Sequence, residues 1–143
     1  MSSVKLAAVL FLAFLPVLTA GTAESQTTFN VTANGTTDYR INNVNDPTLA
    51  LTRGQTYTFN INASGHPFWI KTVASTGTGN AFTNGVTGNG TDSGTLTFEV
   101  PMNAPATLHY NCEFHSPMTG TINISNPVPV RPNSWGNLKQ RYL

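Results

Sequence analysis

Between Thr56 and Asn62 the chain alternates strictly, with Tyr57, Phe59 and Ile61 apolar and Thr56, Thr58, Asn60 and Asn62 polar. A two-residue period sends successive side chains to opposite faces of a pleated strand, so this stretch has one face for a core and one for water. The same period recurs at Phe29–Val31–Ala33, Tyr39–Ile41, Leu49–Leu51, Phe68–Ile70, Leu96–Phe98–Val100, Leu108–Tyr110–Cys112 and Ile122–Ile124. Gly, Asn and Pro punctuate these stretches as turn residues do. Only the Gly-, Thr- and Asn-rich region 73–93 lacks the pattern, and it reads as a long irregular surface excursion. No helical period and no internal repeat is found past residue 23. The expected fold is all-β, an antiparallel Greek-key β-sandwich or barrel of about seven or eight strands.

Residues 1–23 stand apart from this pattern. Lys5 precedes an apolar run from Leu6 to Leu18, too short to span a bilayer comfortably, and Gly21–Thr22–Ala23 offers the small residues a signal peptidase reads. Polar Thr19, Thr22 and Glu24 close behind the run argue against an uncleaved anchor. The expectation is a secretory signal over 1–23, a folded domain over 24–126 and a Pro-containing tail over 127–143. The mature protein is then secreted or periplasmic, without stable membrane insertion. The domain carries three basic residues (Arg40, Arg53, Lys71) against six acidic ones (Glu24, Asp38, Asp46, Asp92, Glu99, Glu113), a balance of −3. The tail carries Arg131, Lys139 and Arg141 with no acid, and its Trp135, Leu138, Tyr142 and Leu143 could dock. Neither part is basic enough to suggest nucleic acid. Asn-X-Ser/Thr sequons at Asn30, Asn34, Asn62, Asn89 and Asn123 are acceptors only where a glycosylation machinery exists.

The chain has one cysteine, so no internal disulfide can form. A bare, exposed thiol in an oxidising compartment risks oxidation or intermolecular pairing, whereas burial or a metal would protect it. Cys112 is followed closely by His115 and Met118, and a thiolate, an imidazole and a thioether this near suit a soft-to-borderline metal, copper best. His66, 46 positions upstream in Ser64–Gly65–His66–Pro67–Phe68, is the candidate for a fourth ligand. Two histidines and a cysteine in a plane with a long axial methionine make a blue-copper electron-transfer centre. By strand parity Cys112 points inward at a strand end, while His109 faces out and reads as a surface residue. Taken singly, each of these side chains is more often a core or surface residue than a ligand. Their conjunction carries the reading.

Gly65–His66 after an apolar strand, and Cys112-x2-His115-x2-Met118 between the last two strands, resemble the cupredoxins, the small blue-copper proteins that include plastocyanin, azurin and amicyanin. The loop spacing is similar to that of amicyanin. The resemblance implies His66, Cys112 and His115 as equatorial ligands, Met118 as axial ligand and one copper ion cycling between Cu(I) and Cu(II). It implies no enzyme, but a monomeric one-electron carrier that meets transient redox partners near His115, through a collar of Phe114, Pro117 and either Phe68 or Trp69. Copper sequestration or delivery outside the cytoplasm is the alternative, and a structural sandwich with an incidental site is a third. One departure stands out. Many cupredoxins place Asn or Ser beside the first histidine to brace the ligand loop, and this chain has Pro67, so that brace is replaced or absent. Asn111, just before the cysteine, is placed to do part of that work. Gly65 resembles an azurin glycine whose carbonyl approaches copper weakly, and it is not counted as a ligand. A dinuclear copper centre would need a second cysteine, a multicopper oxidase needs His-x-His pairs, and structural zinc takes more cysteines. Ser-His-Asp catalysis lacks a nucleophile turn.

Overall fold

Each alternating stretch forms a strand in the computed structural model, which describes residues 27–129. The expected signal segment 1–23, and the tail beyond residue 129, lie outside the described residues. The first five strands are β1 (Thr28–Asn34), β2 (Asp38–Ile41), β3 (Val44–Asn45), β4 (Leu49–Thr52) and β5 (Thr56–Asn62). The others are β6 (Phe68–Lys71), β7 (Val86–Thr87), β8 (Ser93–Glu99), β9 (Thr107–Cys112) and β10 (Thr119–Ser125). Eight of these have four residues or more, and β3 and β7 are two-residue pieces. None of the described residues forms a helix long and apolar enough to cross a membrane.

Two sheets pack face to face. One has the order β3-β2-β1-β5-β8-β7 and the other β4-β10-β9-β6, so the chain switches sheets repeatedly, as Greek-key connections require. Most pairings are antiparallel, but β1 runs parallel to β5 and β4 parallel to β10. The expectation of a purely antiparallel sandwich is refined here. Alternation fixes which face a side chain takes, whereas strand direction is set by how the connections cross between sheets. The facing surfaces bury Val31, Tyr39, Tyr57, Phe59, Leu96 and Phe98 from the first sheet against Leu51, Phe68, Ile70, Leu108, Tyr110 and Ile122 from the second. Their aromatic rings interlock, with Phe68 stacked on Tyr110 at 5.3 Å between centroids and edge-on to Tyr39 at 5.0 Å.

Region 73–93 is more ordered than its composition suggested. Strand β6 lies at the end of its sheet, and an unpaired edge invites pairing with another chain. The excursion covers that edge residue by residue. Phe68 N–H donates to Thr91 O (2.9 Å), Gly90 N–H to Phe68 O (2.9 Å), and Phe82 N–H to Ile70 O (2.9 Å). The Asn89 side chain substitutes for a strand, its Oδ1 accepting from Ile70 N–H (2.8 Å) and its Nδ2 donating to Ile70 O and Phe82 O. Gly90 is required beside it, since a Cβ there would strike the Trp69 ring.

Residues 72–80 then fold over the outer face of β6 and β9. Lys71 is fully buried beneath them and its ammonium donates to Ser75 O (2.7 Å) and to Gly77 O. Burial pushes its pKa below the usual lysine range, and the nearby Glu113 carboxylate partly offsets that. Gly77 N–H donates to Glu113 O (2.7 Å), so this flap is tied directly to the residue after Cys112.

Candidate metal centre

The last residue of β9 is Cys112, and it is fully buried because its parity continues that of Leu108 and Tyr110. In register it pairs with Phe68, the first residue of β6. His66 stands two residues before that strand, so the β6–β9 pairing carries His66 to Cys112 across the sequence gap. The turn preceding it is closed by His66 N–H donating to Ala63 O (2.8 Å), and Gly65 supplies the positive φ of 78° at its third position. His115 comes from the loop that leaves β9. That loop closes on itself, with Cys112 N–H donating to Met118 O (2.9 Å) and Met118 N–H to His115 O (3.3 Å).

The result is a group of three ligand atoms on half-buried His66, buried Cys112 and half-buried His115, all within 4.8 Å of one another. His66 Nδ1 lies 3.1 Å from His115 Nδ1, and Cys112 Sγ lies 3.9 Å and 3.5 Å from these two nitrogens. An ion bonded in one plane to two imidazole nitrogens at about 2.0 Å and a thiolate at about 2.3 Å needs edges of about 3.5 Å between nitrogens and about 3.7 Å from nitrogen to sulfur. The triangle present matches within a few tenths of an ångström, so the donor set fits a first-row metal of borderline softness. Met118, the remaining residue marked in the sequence, is fully buried at the end of the same loop.

The surroundings hold this triangle from several sides. Pro67 has no N–H to give. Its carbonyl instead accepts from Glu113 N–H (3.1 Å), tying the residue after His66 to the residue after Cys112. Asn111 is buried, and its Oδ1 accepts from Thr119 Oγ1 (2.9 Å) and Ser75 N–H (3.1 Å), linking the return of the ligand loop to the flap over 72–80. Trp69 Nε1 donates to Glu113 Oε2 (3.1 Å) on the outer face of the same strands.

Two contacts were not legible in the sequence. The Tyr39 hydroxyl, reaching across from β2, donates to His66 O (2.8 Å), and Asp92 Oδ2 accepts from Gly65 N–H (2.8 Å). Tyr39 showed only as an inward aromatic. Asp92 lay in the Gly/Thr-rich excursion without any signal.

Around the opening, Phe114 is 61% exposed and Pro117 is exposed, whereas Phe68 is completely buried. Phe68 therefore cannot belong to a surface collar, because its pairing with Cys112 turns it into the core. Trp69 is half-buried, and half-buried His109 alternates outward with Tyr110 as its parity required.

Comparison with solved structures finds this fold in rusticyanin. A crystal structure of a methionine-to-glutamine mutant of rusticyanin superposes with a TM-score of 0.50, at 20% identity over 71% of this chain and 80% of that one. A structure of the copper protein rusticyanin gives 0.46 at 20% identity over 71% and 80%, and rusticyanin from Thiobacillus ferrooxidans gives 0.43 at 20% over 71% and 79%. At this identity the first superposition shows a shared fold, the β-sandwich that the alternating strands led one to expect. No family model matches the sequence, and no curated protein matches it.

Proposed function

We propose that this chain is a type 1 copper-binding protein that carries single electrons outside the cytoplasm, with His66, Cys112 and His115 as equatorial ligands and Met118 as the axial one. The observation that carries the reading is the convergence of His66 Nδ1, His115 Nδ1 and a fully buried Cys112 Sγ at one end of a rigid sandwich. Copper would supply the Cu(I)/Cu(II) couple.

The protein's part is to keep the donors still. His66 is fixed by its turn and by strand pairing, Cys112 by β9, and His115 and Met118 by a loop closed on Cys112. Donors that do not move between oxidation states leave little to reorganise when an electron arrives. Burial of Cys112 keeps water and oxidants from the thiolate, and half-exposed His115 is the edge a partner can reach. Exposed Phe114 and Pro117 beside it suit brief docking by a redox partner, with the protein acting as a monomer and not as an enzyme. The lone cysteine and the apolar first segment favour an extracytoplasmic, secreted or periplasmic setting.

The test is a visible and electron-paramagnetic spectrum of the copper-loaded protein, beside a Cys112→Ser variant. An intense visible band in the wild type that disappears with the thiolate is the expected result. A colourless wild type refutes the copper reading. If the loaded protein gives up Cu(I) readily to a chelator while its electron self-exchange is negligible, copper delivery replaces electron transfer as its role.

A further inference from the structure

We propose that Tyr39 is a positioning residue of the metal site, its hydroxyl holding the His66 peptide against Cys112 in place of a hydrogen-bonding residue after the first histidine. The inference rests on the copper reading above and assigns the brace that Pro67 cannot supply.

The main-chain anchors of Cys112, His115 and Met118 lie within the ligand loop or between β6 and β9, and His66 shares in them only through Pro67 O, its own N–H closing the local turn on Ala63 O. His66 needs a hold of its own, because it arrives from a turn and not from within a strand. Two side chains reach that turn. Asp92 accepts from Gly65 N–H at an exposed position, where water can take over the bond. Tyr39 donates to His66 O from a fully buried position, where no water can.

The phenol is itself immovable. Its ring is edge-on to Phe68 at 5.0 Å and to Tyr110 at 6.3 Å, and its N–H is held by Asp46 Oδ1 at 2.9 Å. It belongs to β2 of the first sheet, while Cys112 belongs to the second, so its hydrogen bond sets the spacing of the two sheets where the ligands meet. Metal sites need their ligands held to within about half an ångström by the residues around them.

Copper titration of the full chain tests this, with wild type, Tyr39→Phe and Tyr57→Phe compared. Tyr57 is equally buried, and its hydroxyl accepts from Thr52 N–H (2.9 Å) at the end of β5 away from His66. We expect Tyr39→Phe to weaken Cu(II) binding about tenfold, the loss of one well-placed hydrogen bond, and to shift the thiolate band. Tyr57→Phe is expected to lower the melting temperature of the copper-free protein comparably and to leave affinity and band unchanged. A Tyr39→Phe protein with wild-type affinity and band overturns the proposal and leaves the copper reading intact. A wild type that forms no coloured complex overturns both. Should Tyr39→Phe not fold, proton NMR of the wild type decides. The Tyr39 hydroxyl resonance is expected to exchange slowly and to move on adding Cu(I), and an unmoved resonance overturns the proposal.

Discussion

Asp46 is the group through which pH most directly reaches the frame around the site. Lying between β3 and β4 with a positive φ of 39°, it pairs with Tyr39 in both directions, its N–H donating to Tyr39 O (2.8 Å) and its Oδ1 accepting from Tyr39 N–H (2.9 Å). Burial pushes its carboxyl up to about 6, and Asp38 adds to this, while N–H bonds from Tyr39 and Thr119 pull the other way. The folded protein therefore binds this proton more tightly than the unfolded chain, whose aspartate titrates near the ordinary 3.8. A raised carboxyl contributes its stability in acid and loses it as pH rises from about 4 through about 6. Moving from 3.8 to about 6 would amount to about 3 kcal/mol for a group sealed from water. Asp46 is only half-buried, so solvent screening reduces the expected effect to about 1 kcal/mol. Asp46→Asn keeps an oxygen for Tyr39 N–H and removes the charge. Urea denaturation of the copper-free protein should show the variant more stable by about that amount at pH 7.5 and equal to wild type at pH 4. A variant less stable than wild type at pH 7.5 would mean that the charged hydrogen bonds outweigh desolvation, and the reasoning would fail.

Met118→Leu conserves volume in a fully buried position, so stability should change by less than about 1.5 kcal/mol; with copper bound the visible band should persist while the reduction potential rises, if the proposed axial donor to the oxidised ion is thereby removed. An unchanged potential in voltammetry would make Met118 a core residue only. Asn89→Ala strips the acceptor from Ile70 N–H and the donor from Ile70 O and Phe82 O, which should lower stability by about 2–3 kcal/mol in urea titration. Asn89→Asp should be no milder, because it sets a carboxylate against two carbonyls; a variant of wild-type stability would show that β6 needs no such clamp.

Alternation alone located every strand of four residues or more, because a half-buried strand leaves its burial pattern in the order of its side chains. Tyr57, Phe59 and Ile61 are buried as their period requires, and Thr56, Asn60 and Asn62 are exposed. What alternation cannot carry is partnership. Nothing in Phe29–Val31–Ala33 says that β1 lies parallel to β5, since the same residues would bury the same face against either direction of neighbour. The excursion over 73–93 misled for a related reason. Its order comes from main-chain groups and from the amide of Asn89, and these leave no hydrophobic period behind. Asn89 also illustrates how context decides a motif. As a sequon it was one acceptor among five, but its Nδ2 donates to two carbonyls and its Oδ1 accepts an N–H, so this amide is already a structural part of the sheet edge.

The site divides along the same line. The nearness of Cys112 and His115 was legible because one strand end and one loop place them, and local chain geometry is written in spacing. His66 was legible because few other donors were available, yet its route to the site depends on the register Phe68↔Cys112, a long-range property. Pro67 is the instructive residue. With no hydrogen-bonding side chain beside the first histidine it announced that a brace was replaced or absent, and the fold answers with three parts from three places: the Pro67 carbonyl on Glu113 N–H, Asn111 on Thr119 and Ser75, and the Tyr39 hydroxyl on His66 O. The first two act on the β9 side and could be replaced by small shifts within one sheet. The third spans the two sheets, and any change in their spacing must move His66 relative to Cys112. The geometry of the proposed copper ligands is therefore coupled to core packing through Tyr39, Phe68 and Tyr110, and substitutions in that aromatic cluster should register in the spectrum of the copper-loaded protein even though none of the three rings belongs to the proposed ligand set.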